Sequence, residues 1–255
     1  MSAAHAPQPG SPRKIAHWTG VLFLITFATS IPALLLYGPI LNGDGYSYST
    51  YVIGVGADNQ IYLAATLELV LILANVGTAL VLYPILKRQN QILALGYVAW
   101  RIIESVFIAV GILCMLALVT LRQDASGADP ATLGVVGHAL VAVKDATFLL
   151  GPGFMVGIGN GLTLGYLMYA SGLIPSRLTW FGLVGGPLVC ISGILVLFGV
   201  LEFGGAGQLL FTLPEMIWEG AILGVYLIVK GFEPAPIIAG SGSGERGRPL
   251  VPQPA

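Results

Sequence analysis

Arg101 and Glu104 stand in the stretch YVAWRIIESV (97–106), inside a run, 92–121, that is otherwise almost wholly apolar. On a helix, Tyr97, Arg101, Glu104 and Ser105 fall on one face by steps of three and four, while Val98, Ile102 and Ile103 fall elsewhere. An Arg or Asp at the centre of a membrane helix is unfavourable by about 2.5–3.5 kcal/mol, so this stripe is expected to face protein and not lipid. Other apolar runs bring company. Glu68 and Asn75 are seven apart and share a face, and Glu215, Glu219 and Tyr226 are spaced by four and seven. The carboxylates of Glu68, Glu104, Glu215 and Glu219 share roughly one arginine. They cannot all be ionised in a dry interior, and Glu219 is the first choice to carry a proton. Such a cluster, Arg101, Glu104, Glu219, Glu68 and Asn75, suits the binding of an ion, a proton or a small cationic or polar solute. The plainer reading is an Arg101–Glu104 or Arg101–Glu219 pair that only fixes helix register.

Metal and hydrolytic chemistry have little to stand on. There are three histidines, and His5 lies in the N-terminal tail. His17 and His138 are expected near opposite ends of the bundle, so they cannot share a metal or clamp a haem. His138 and Asp145, seven apart, could handle protons as an outer polar group together with Glu215. They read more simply as the polar face of a surface helix. No GxSxG, HExxH or P-loop motif occurs, so no catalytic residue, metal or cofactor is assigned. An intramembrane enzyme ranks behind a solute-handling protein and behind a non-catalytic scaffold, sensor or subunit.

These groups need elements to hold them, and the composition names the elements. Of 255 residues, 56% are hydrophobic and 9% charged, with a mean hydropathy of +0.86. Soluble domains carry about 25% charged residues. The chain reads as an all-α, polytopic membrane protein whose main partner is a lipid bilayer. A net charge of −1 offers no field for nucleic acid. Cys114 and Cys190, both in apolar runs, make neither a CxxC motif nor a disulfide framework.

A spanning helix needs roughly 20 mostly apolar residues. The runs 15–37, 61–86, 92–121, 152–171, 177–200 and 208–230 qualify. The stretch 131–150 is apolar but carries His138, Lys144 and Asp145, and GPG at 151–153 is expected to break it from the fourth span. We read it as an amphipathic or re-entrant helix at about 131–148, with Lys144 on the outer surface. Charge placement supports six spans. With the N-terminus inside, Arg13, Lys14, Lys87, Arg88, Arg177, Lys230, Arg246 and Arg248 lie on the inner side, against Arg122 and Lys144 outside. The membrane domain is then 15–233. Residues 1–14 and the Pro/Gly/Ser-rich 234–255 are expected to be disordered cytoplasmic tails.

In the fourth span, Gly153, Gly157, Gly161 and Gly165 recur every four residues. They form a smooth strip that another backbone can approach, either within the bundle or in a homo-oligomer. Gly220 and Gly224 make a shorter strip in the sixth span.

Three stretches in order carry a resemblance. GYVAWRIIES (96–105), LGYLMYASGLIPSRLTWFGLVGG (164–186) and YLIVKGF (226–232), with Pro214 ahead of Glu219, resemble the bacterial membrane family called domain of unknown function 4386. The likeness runs from about residue 15 to 232. It implies a six-pass protein of the bacterial inner membrane. It implies no activity and carries over no site residue.

Overall fold

The structure is a computed structural model that describes residues 11–41, 48–54 and 56–239. No strand occurs among them, and six helices are long and apolar enough to cross a membrane. These are α1 (Pro12–Leu41), α2 (Asp58–Gln89), α3 (Gln91–Gln123), α4 (Pro130–Ser171), α5 (Ser176–Leu197) and α6 (Ala206–Val229). Short helices at Tyr48–Val52 and Pro236–Ala239 flank the bundle.

Local chemistry sets the boundaries. Asn90 alone separates α2 from α3, and its side chain accepts a hydrogen bond from the Leu93 amide at 3.0 Å. Asp129 caps α4 by accepting from the Thr132 amide at 3.1 Å, with Pro130 in the first turn, where a missing N–H costs nothing. The bonds from Thr132, side chain first, hold the exposed Asp129 carboxyl below its ordinary range. Gly172, at φ 68°, ends α4 in the left-handed conformation that glycine adopts without strain.

Neighbouring helices follow chain order and close into a ring. Each of α1 to α5 packs on its successor, and α6 returns to α1. The start of α1 and the end of α6 meet at one end of the bundle, where Arg13 Nη2 donates to the carbonyls of Ile228 and Val229 at 3.2 and 3.1 Å. Near that end an apolar cluster gathers Phe23, Leu82, Tyr97, Leu164, Trp218 and Leu227. A second cluster, with Tyr37, Tyr51, Ile61, Met115 and Leu133, fills the far end.

The helix expected at 131–148 is present as the regular α-helical stretch Pro130–Leu150. The break expected at GPG is not. The chain continues through π-helical turns at Gly151–Met155 and Gly157–Leu164 and runs on to Ser171. Pro152 can neither donate nor pack tightly, and five-residue hydrogen bonding absorbs that without ending the helix. The whole of α4 runs antiparallel to α3: Thr147 and Lys144 lie against Gly111, Gly151 against Phe107, and Gly159 against Trp100.

Lys144 corrects the surface assignment. Its face, with Leu133, Gly137, Val141 and Thr147, is buried, and Lys144 itself is 3% exposed. The C-terminal boundary also moves. Beyond residue 233 the chain stays docked: Ala235 is buried, and Arg88 Nη1 donates to the Ile237 carbonyl at 3.0 Å. The apolar PAPIIA segment explains this, because Ala235, Ile237 and Ile238 extend the apolar cluster at that end. The expected tails at 1–10 and 240–255 lie outside the described residues.

Candidate functional site

The polar side chains of the spans meet in the bundle interior as three adjoining groups. Arg101 anchors the first. Its Nη1 donates to Glu104 Oε2 at 2.5 Å, its Nη2 to Asn75 Oδ1, and its Nε to the Asn75 carbonyl at 3.4 Å. Asn75 Nδ2 closes the circuit onto Glu104 Oε1 at 3.0 Å. All three residues are buried. Their faces bring this about: α2 presents Glu68, Asn75 and Thr78 inward, and α3 presents Tyr97, Arg101, Glu104 and Ser105. The Ser105 hydroxyl donates back to the Arg101 carbonyl at 2.8 Å.

The second group lies further toward the far end. Lys144 Nζ donates to Glu68 Oε1 at 2.5 Å, and Tyr37 donates to Glu68 Oε2 at 3.3 Å. The ammonium also sits 4.7 Å from the centroid of the Tyr37 ring, a cation–π contact. Gly111 makes this possible. A Cβ there would come within 2.9 Å of Lys144 Cδ. Glu68 therefore belongs to Lys144 and not to Arg101, which corrects the view that the carboxylates share one arginine.

The third group joins α4 to α6. Both helices are π-helical here, over Gly157–Leu164 and Ile217–Tyr226. Asn160 Nδ2 donates to Glu219 Oε1, and Trp218 Nε1 donates to the Asn160 carbonyl at 2.9 Å. Glu219 is partly buried and within electrostatic reach of Arg101. Glu215 is 3% exposed, and neither of its carboxylate oxygens has a hydrogen-bond partner. It is wedged between α4 and α5. A Cβ on Gly161 or on Gly185 would lie 2.8 Å from Glu215 Oε2.

Glu215 is thus placed apart from His138 and Asp145, with which it was grouped. Gly159 beside Trp100, and Gly161 beside Glu215, put it in the layer of Arg101. His138 is exposed, and Asp145 is half-buried within electrostatic reach of Lys144 and His138. The glycine strip is used inside the chain. Gly157, Gly161 and Gly165 face Gly186, Val189, Cys190 and Leu183 of α5, while Gly153 meets its own helix at Phe148 and Leu149. Gly224 and Gly220 receive Leu24 and Phe27 of α1.

At the far end Tyr51 donates to Asp58 Oδ1 at 2.6 Å, and the same carboxylate pairs with Arg122. Burial, then the bond to Asp58, pushes the Tyr51 phenol well above its ordinary value. A cavity of about 360 Å³ beside Arg122, Gln123, Pro130 and Leu133 opens at this end, and its lining includes none of the core polar residues. Among the described residues no cluster of His, Cys, Asp or Glu could hold a metal ion.

Reading faces from the sequence missed Asn160, Trp218 and the partner of Glu68. Lys144 had a signal, since it repeats the spacing of Leu133, Gly137 and Val141 on one face. Asn160 was the single amide in a span dominated by glycine.

The family model described as domain of unknown function (DUF4386) matches residues 18–231, and the chain belongs to that family. No curated protein and no solved structure matches it.

Proposed function

We propose that this member of the DUF4386 family is a multi-pass membrane protein that handles protons, small cations or another small polar solute. Its working centre is Arg101, Glu104 and Glu219, held by Asn75 and Asn160. The supporting observation is a surplus of acid. Glu68 and Glu104 have Lys144 and Arg101 as direct ionic partners, whereas Glu219 is bonded to an amide and Glu215 to nothing. Carboxylates without a counter-ion inside a membrane bundle mark a place where a proton or cation binds. We further propose that it sits in a bacterial plasma membrane with both termini in the cytoplasm, a reading supported by the resemblance and by the distribution of the basic residues.

A second reading has its own support. The bonds among Arg101, Asn75 and Glu104 form a closed set, which is what a scaffold, sensor or subunit needs to fix helix register. Purified protein in liposomes separates the two. With a pH gradient or a small cation as driver, wild type is expected to carry flux, and Glu219→Gln to lose most of it while keeping its fold. Arg101→Ala is expected to lose flux and stability together. Unchanged flux in a folded Glu219→Gln variant, or no flux in wild type, sinks the solute-handling reading in favour of the scaffold.

A further inference from the structure

Glu215 is a carboxylate that the arrangement above leaves over. Both its oxygens are enclosed, neither has a partner, and no cation makes an ion pair with it among the described residues. An isolated buried carboxylate anion is too costly to persist, so the group takes up whatever neutralises it. The surrounding slot selects the neutraliser. Gly161 and Gly185 press so closely on Oε2 that even a methyl group would clash. A hard metal cation needs about six oxygen ligands, and backbone CH₂ surfaces supply none. A proton needs no such room. The charged and titratable groups facing Glu215 are Glu219, one turn on along α6, Arg101 from α3, and Cys190 from α5. Asn160 Oδ1, a second buried oxygen without a partner, lies beside Gly161 on the facing π-helical stretch.

We propose that Glu215 is a proton-exchange site, a carboxylic acid held neutral in the slot between α4, α5 and α6. On release, its O–H bond breaks and the electron pair stays on the carboxylate. The proton passes to Glu219 or to water, and the field of Arg101 favours the anion while it lasts. This deepens the ion-handling reading and rests on it.

Infrared difference spectroscopy of the full chain in liposomes tests the assignment. Wild type at neutral pH is expected to show the C=O stretch of a protonated carboxylic acid. The band should shift on transfer to D₂O and disappear as pH is raised. Glu215→Gln should lack it, and Glu219→Gln should keep it. If Glu215→Gln does not fold, Glu215→Asp decides: the band moves if Glu215 is its source and stays if it is not. A band missing from wild type, unchanged in Glu215→Gln or refractory to D₂O overturns the proposal. So does a band that vanishes on adding Na⁺ at constant pH, which would make the site a metal-cation site. Flux is read separately. The band without flux leaves a protonated Glu215 and removes the ion-handling role. Flux that depends on Glu219, without the band, does the reverse.

Discussion

Glu68 and Lys144 show how a single side chain changes the account of a membrane core. A lysine buried at 3% exposure holds its place because Glu68 lies 2.5 Å from its ammonium, the Tyr37 ring lies against it and Gly111 leaves room for its stem. Breaking one member of a buried pair strands the other, at a cost of about 3–5 kcal/mol, whereas replacing both by apolar groups of similar size is often neutral. Lys144→Met is therefore expected to lower stability by about 3–5 kcal/mol, and Lys144→Met with Glu68→Met to recover most of the loss. Thermal unfolding in detergent measures this, and a double variant no better than the single one would show that the pair is not the source. The inward stripe of Tyr97, Arg101, Glu104 and Ser105 was legible in the sequence because steps of three and four fix a face. The partnerships were not. Which acid meets which cation depends on the register between helices, and single-chain periodicity says nothing of that. Under our proposal the proton that the sequence assigned to Glu219 goes to Glu215 for the same reason: an amide from α4 reaches the first and glycines line the second.

The elements differ most in α4, where glycine spacing was readable and its consequence only half so. Four glycines in steps of four gave a close-approach strip, and Gly157, Gly161 and Gly165 form one against α5. On α5, Gly186 supplies the other half of the contact, while an added Cβ on Gly182 or Gly185 would instead meet Trp218 or Glu215 of α6. At Gly186 an added Cβ would lie 2.4 Å from the Gly157 carbonyl oxygen and 2.9 Å from Gly161 Cα. Backbone cannot step aside as a flexible side chain can. Gly186→Ala is therefore expected to force α4 and α5 apart and cost about 1–3 kcal/mol, as overpacking does. Gly96→Ala, with nothing within 4 Å of its added methyl, serves as the control and should melt like wild type. Equal melting of the two variants would mean the strip is slack. Helix lengths add a second point. At 1.5 Å per residue, α3, with 33 residues, is roughly 50 Å long, and α5, with 22, roughly 33 Å. A hydrocarbon core is about 30 Å thick, so the longer helix must extend beyond it as well as tilt. The unbroken GPG segment escaped the sequence because a proline and two glycines read as a stop, and only packing against α3 shows that the helix continues.

The whole molecule is a ring of six spans that returns the chain to the end where it began. The count was legible because apolar length and charge depletion are strong signals. The ring order and the route of α4 were not. The bond from Arg13 to the Ile228 and Val229 carbonyls puts the start of α1 and the end of α6 on one side. Our proposal for which side that is rests on charge. Arg13, Lys14, Lys87, Arg88, Arg177 and Lys230 lie at the end where α1 starts and α6 finishes. With Lys144 buried against Glu68, the far end among the described residues keeps only Arg122, itself paired with Asp58. The asymmetry is thus sharper than the linear sequence suggested, and lysine and arginine bias is what sets orientation during insertion. Ser11 and Ser126 stand at opposite ends of the bundle, and the existing thiols, Cys114 and Cys190, lie within spans. After both thiols are replaced by serine, Ser126→Cys is expected to react with an impermeant maleimide on intact cells. Ser11→Cys should react only after the membrane is opened. A reporter fused after residue 233 should likewise score cytoplasmic. The opposite labelling pattern would invert the molecule and put the far end, with Arg122 paired to Asp58, on the cytoplasmic side.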